Sequence, residues 1–93
     1  MKVKEEKLKE LESLGFKQYI VENYEDDDII YYEKNCGWGE RIVVGSRYTN
    51  RTDVEFYHEV NTWGDDEEIT NCVPIWAFPT IVKMVQLDFI DED

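Results

Sequence analysis

Asp53-Val54-Glu55-Phe56-Tyr57-His58-Glu59-Val60 alternates between two chemistries. Successive strand residues point to opposite faces, so Val54, Phe56, His58 and Val60 share one side and Asp53, Glu55, Tyr57 and Glu59 the other. This is the pattern of a half-buried antiparallel strand: an apolar inner face, and an outer face of carboxylates around a tyrosine.

Upstream, Arg41 to Val44, Ile29-Ile30-Tyr31-Tyr32 and Tyr19-Ile20-Val21 are rich in β-branched and aromatic residues and read as three more strands. Their links are short and polar: Glu25-Asp26-Asp27-Asp28, then Asn35-Cys36-Gly37-Trp38-Gly39, then the stretch from Arg47 to Thr52. Links this short fit an antiparallel meander, because parallel strands need long crossovers. Downstream, Asn61 to Asn71 holds Trp63-Gly64 and the acidic run Asp65-Asp66-Glu67-Glu68, which reads as a solvated loop. Residues 69–78 are apolar but interrupted by Pro74, and periodicity leaves both a short fifth strand and an irregular segment open.

Two helices frame the strands. Val3, Leu8, Leu11 and Leu14 fall within one arc at 100° per residue, predicting a helix over 3–14 with Gly15 as its stop. Pro79 suits a first helical turn, and Ile81, Val85 and Phe89 lie one turn apart with Val82 and Met84 beside them, predicting a helix over about 79–90. The carboxylates of Asp91-Glu92-Asp93 would then face the negative end of its dipole and fray the tail. The expected fold is α+β: helix, a four- or five-stranded antiparallel meander, helix, with both helices packed on one sheet face and residues 1–93 forming one domain.

The chain has 93 residues and a net charge of −12, from 22 acidic and 10 basic side chains, with 42% hydrophobic residues. It is too apolar for a disordered chain. A chain of this length buries only about 60–65% of the surface its unfolded form exposes, so self-repulsion at this charge works against a thin stability margin. The charge is unevenly placed. Residues 18–93 carry 18 acidic and five basic side chains, a net of −13, whereas residues 1–17 sum to +1. Phosphate contacts need clustered lysines and arginines, so direct nucleic-acid binding is opposed. No apolar run approaches the ~20 residues of a membrane span. Only two cysteines, Cys36 and Cys72, and a charged start indicate a reducing cytoplasm with both thiols free.

No residue set announces a reaction. His58 is the single histidine, and neither cysteine has a short-spaced partner, so no metal ligand set is formed. The acidic runs lack the alternate-ligand spacing and glycine of a calcium loop, and Gly37 and Gly39 lead into Glu40 rather than a phosphate-cradling helix. No cofactor is expected. Carboxylates spread over a sheet and its loops can instead imitate nucleic-acid phosphates to a groove lined with lysine and arginine, with aromatic anchors supplying affinity. The residues expected to capture such a partner are Asp26, Asp27, Asp28, Asp65, Asp66, Glu67 and Glu68, with Glu55 and Glu59 on the outer strand face. Trp38, Trp63 and Tyr57 are the expected anchors; the alternatives are that Trp38 and Trp63 fold back as lids on the small core and that the acidic runs serve solubility.

Over its whole length, with a charged opening helix ending in Leu14-Gly15-Phe16, a short-stranded sheet and a closing helix, the chain resembles the small acidic proteins of phages and mobile elements. The resemblance is of size, charge and layout. It implies a stoichiometric inhibitor of the anti-CRISPR or anti-defence type, some of which mimic nucleic acid. The expected function is therefore non-enzymatic binding to a basic nuclease or other nucleic-acid-handling protein. Three alternatives stand beside it: an immunity or antitoxin protein neutralising a cationic nuclease, a scaffold component or homodimer joined through an open sheet edge, and a small hydrolase or metal-dependent enzyme using His58.

Overall fold

The computed structural model describes the chain apart from residues 23–26, 46–49, 62 and 92–93. In chain order the elements are β1 (Lys2–Val3), a 3-10 helix (Glu5–Leu14), β2 (Lys17–Val21), β3 (Ile29–Asn35), β4 (Arg41–Val44), β5 (Val54–Glu59), β6 (Asp66–Glu68), a 3-10 turn (Ile75–Ala77), α1 (Phe78–Gln86) and β7 (Ile90–Asp91). β2 to β6 form an antiparallel sheet in sequence order, and β1 pairs with β7 in a separate two-stranded ladder. The fold is α+β.

The register carries the alternation of β5 across the sheet. Tyr32 opposes Val44, and Ile42 opposes Phe56. These four inner-face side chains belong to one buried cluster with Leu11 and Leu14 of the first helix and with Ala77, Ile81, Met84 and Phe89 near the C-terminus. Trp76 meets Phe56 edge to face, ring centroids 6.3 Å apart, a geometry suited to the ring quadrupoles. Val54 packs against the same cluster, but Val60 lies beyond the end of β5 and is exposed.

The two helices end with the same device. Phe16 N–H reaches Leu11 carbonyl at 3.3 Å and Gly15 N–H reaches Glu12 carbonyl, with Gly15 at φ 93°. Phe89 N–H reaches Met84 carbonyl at 2.8 Å and Asp88 N–H reaches Val85 carbonyl, with Asp88 at φ 64°. Both are Schellman closures, in which the bonded pairs Leu11/Phe16 and Met84/Phe89 are also the buried ones. Aspartate tolerates the left-handed region better than most residues, and its carboxylate is held by Lys4 Nζ at 2.7 Å. That contact keeps the Asp88 carboxyl below its ordinary pKa and the Lys4 ammonium above its own.

Several expectations change. The opening helix is 3-10 rather than α and starts at Glu5, leaving Val3 to β1. Leu8, Leu11 and Leu14 are three apart, and a helix with three residues per turn stacks them in one row, where an α-helix rotates each by about 60° from the last. The closing helix stops at Gln86, so Asp91 lies in β7 instead of a frayed helix end; Glu92 and Asp93 fall outside the described residues. Through this region the buried residues are Ala77 of the 3-10 turn and Thr80, Ile81 and Met84 of α1, while Val82 and Val85 are exposed. Phe89 reaches the core only because the chain reverses at Asp88. The fifth strand is not within 69–78 but in the acidic run itself, as Asp66–Glu68.

Candidate interaction surface at the tryptophan end of the sheet

In a meander, alternate links fall at the same end of the sheet. The β3–β4 and β5–β6 links are therefore neighbours, and both carry a tryptophan. Glu59 N–H donates to Gly39 carbonyl at 3.1 Å, joining the first link to the end of β5, and Val60 N–H donates to Asp65 carbonyl at 2.9 Å, closing the second.

Each link is braced by an asparagine. The Asn35 amide nitrogen, turned toward the carbonyls of Gly37 and Glu40, lies 3.1 and 3.2 Å from them. Asn61 Oδ1 accepts from the Trp63 and Asp65 N–H groups at 2.8 and 3.4 Å, and its Nδ2 donates to Asp65 Oδ2 at 2.8 Å. Gly39 must be glycine: φ is +70°, and a Cβ there would stand 2.5 Å from Glu59 Cβ. Trp38 and Trp63 project from these braced backbones at 98% and 87% exposure, whereas Trp76 packs against the core. Large aromatics held that far into water are the outlying feature of the surface.

Behind the tips, the outer sheet face is a connected polar lattice. Register places Arg41 opposite Tyr57, and Tyr57 opposite Glu68. Arg41 Nη1 lies 2.7 Å from Glu33 Oε1, its Nη2 pairs with Asp66, and its guanidinium sits 5.7 Å from the centre of the Tyr57 ring. Tyr57 hydroxyl donates to Glu55 Oε2 at 2.8 Å. Burial and that bond to Glu55 raise the tyrosine pKa above its ordinary value. Glu68 is largely exposed, but partial loss of water around its carboxyl, then contact with the Glu55 carboxyl, raises its pKa. Glu55 and Glu68 also line an open cleft of about 330 Å³ with Met1, Ile69 and Cys72.

The expected capture residues divide. Trp38, Trp63, Glu59, Asp65 and Asp66 gather at the tryptophan end and are exposed, except that Asp66 shares its carboxylate with Arg41. Glu67 and Glu68 follow along the edge strand and are also exposed; Glu67 falls opposite the half-buried His58. Tyr57 is half-buried, and Glu55, 7% exposed, is turned into the lattice. Asp27 and Asp28 are exposed at the start of β3, at the opposite end of the sheet, and Asp26 lies outside the described residues. At ~3.3 Å per residue the seven residues of β3 put the two ends roughly 20 Å apart.

The run Asp65 to Glu68 was expected to be a solvated loop. It supplies the edge strand instead, because Arg41 neutralises its outer side and β5 provides the hydrogen bonds. Charge on an edge strand also opposes pairing with another sheet. Arg41, flanked by Gly39-Glu40 and Ile42 in sequence, was not among the expected residues although it contacts side chains of three other strands; the carboxylates it joins, Glu33 and Asp66, are distant in sequence.

Cys36 and Cys72 are free thiols, and burial pushes the Cys36 pKa up. Among the described residues no three of His, Cys, Asp and Glu converge as metal ligands, and no helix is long and apolar enough to cross a membrane. Comparison with protein-family models, with curated proteins and with solved structures found no match.

Proposed function

We propose that this chain is a non-enzymatic binding protein whose tryptophan end docks on a basic, nucleic-acid-handling protein and blocks its phosphate-binding groove. The observation that carries the reading is the pair of almost fully exposed tryptophans on two braced, adjacent hairpins beside Glu59 and Asp65. Indole faces attract lysine and arginine, most strongly once water is removed, and neighbouring carboxylates add charge complementarity. A preorganised backbone lowers the ordering cost of binding. In this reading the two helices back the inner face of the sheet and leave the tips free. Asp27 and Asp28, at the other end, contribute to long-range attraction and not to the contact.

The test is capture from a cell lysate on the immobilised protein at low and physiological ionic strength, with mass spectrometry of what is retained. The expected result is a basic nuclease or nucleic-acid-binding protein, retained better at low salt and lost with Trp38→Ala/Trp63→Ala. Retention unaffected by salt and by both substitutions overturns the reading.

A further inference from the structure

The 3-10 turn and α1 carry a second apolar row that the core does not use. Ile75, Phe78, Val82 and Val85 are between 49% and 80% exposed. Positions three apart eclipse in a 3-10 turn, and steps of four and three return to the same side of an α-helix, so the four form one stripe. The adjoining side of the same segment, Ala77, Ile81 and Met84, is buried. Lone exposed apolar residues are ordinary; an aligned row of four large ones is the mark of an interaction surface.

Two observations identify the occupant. Residues 69–87 contain a single charged side chain, Lys83, in a chain of net charge −12. Two copies can bring this segment together without opposing carboxylates, which the acidic edge strand and hairpin tips do not permit. The spacing of the row, three, four, three, also reads the same in both directions. About a two-fold axis, antiparallel helices would oppose Ile75 with Val85 and Phe78 with Val82, twice each. An isologous interface requires such self-complementarity.

We propose that the protein self-associates through this stripe into a two-fold symmetric dimer. Four partly exposed side chains fall well short of the ~800 Å² per partner of a standard interface, so the dimer is weak and concentration-dependent. It does not depend on the proposed function, and the two have opposite salt responses. Salt screens the repulsion between two anionic copies and strengthens the dimer, while it weakens capture of a cationic partner.

Sedimentation equilibrium of the full chain across a concentration series, at low and high salt, tests this. The expected result is a mass rising toward that of two copies, more readily at high salt, with Val82→Glu and Val85→Glu each lowering the association constant by more than about tenfold, because each would bury an unpaired carboxylate. Both positions are exposed, and unchanged thermal melting of either variant confirms that folding is intact. The register is read by oxidising a mixture of Phe78→Cys and Val82→Cys proteins, each also carrying Cys36→Ser and Cys72→Ser. Disulfides joining position 78 to position 82 should exceed those joining like positions. A chain that stays monomeric at millimolar concentration in high salt, a dimer unaffected by both glutamates, or a predominance of like-position disulfides overturns the proposal.

Discussion

Both faces of the central sheet hold buried residues at its centre, with different chemistry. Inward, Ile42, Val44 and Phe56 share one buried cluster with Leu11, Leu14, Ile81 and Met84; outward, Val43 and Glu55 are 5% and 7% exposed in one cross-strand row with Glu33. The inner face is buried within that apolar cluster. The outer face is closed by its own long polar side chains lying over one another, with Arg41 joining Glu33, Asp66 and Tyr57. The outer face thus forms a connected polar surface, and the tryptophan hairpins extend from its end.

The comparison breaks most visibly at Phe56. Phe56→Ala opens a cavity under Trp76 and should cost about 3–5 kcal/mol in urea unfolding, enough to threaten folding of a domain this small. Arg41→Ala, on the outer face, removes ion pairs that are partly screened by water and should cost about 1–2 kcal/mol, with much of the loss at the β5–β6 hairpin. Hydrogen exchange of the β6 amides checks the location: they should lose protection before those of β4.

A smaller effect, of opposite sign, is expected at Glu68. Its carboxyl titrates above the ordinary value in the folded protein, so the folded state holds the proton more tightly than the unfolded one. Stability from this group is therefore full at acid pH, below the unfolded value, and is lost as pH rises through the folded value. Glu68→Gln should melt higher than the parent at pH 7, and the difference should shrink toward pH 4. Because protonation elsewhere relieves the −12 charge in both proteins, only their difference isolates Glu68. The smallest effect on stability belongs to the tips: Trp38→Ala and Trp63→Ala should each stay within about 0.5 kcal/mol, since neither ring is buried.

The alternation in β5 separated Val54 and Phe56 from Tyr57 and Glu59, although Val60 lies exposed beyond the strand and Glu55 is buried, and the turn residues predicted the antiparallel meander. β6 was not legible because Asp66-Glu67-Glu68 has poor strand propensity, and its pairing depends on Arg41, far away in sequence. Three-residue leucine spacing fits one arc of an α-helix as well as one row of a 3-10 helix, so the period alone did not separate them. β1 and β7, two residues each, are too short to show a pattern. Around α1 there are two apolar stripes, and hydropathy does not say which one the core takes. The absence of charge along residues 69–87 was the available signal for an exposed apolar surface. At the candidate site, glycine and asparagine around Trp38 and Trp63 pointed to turns, but whether the rings fold back or project is settled only by the path of the hairpins.

The central claim is that binding resides at the tryptophan end and not in negative charge at large. Capture by Trp38→Ala/Trp63→Ala, compared with capture by Asp27→Lys/Asp28→Lys at the opposite end of the sheet, tests it directly. The account predicts that the first variant loses the partner at low and physiological salt while the second retains it with slower association. Loss with the lysine variant alone, and retention by the alanine variant, would contradict it.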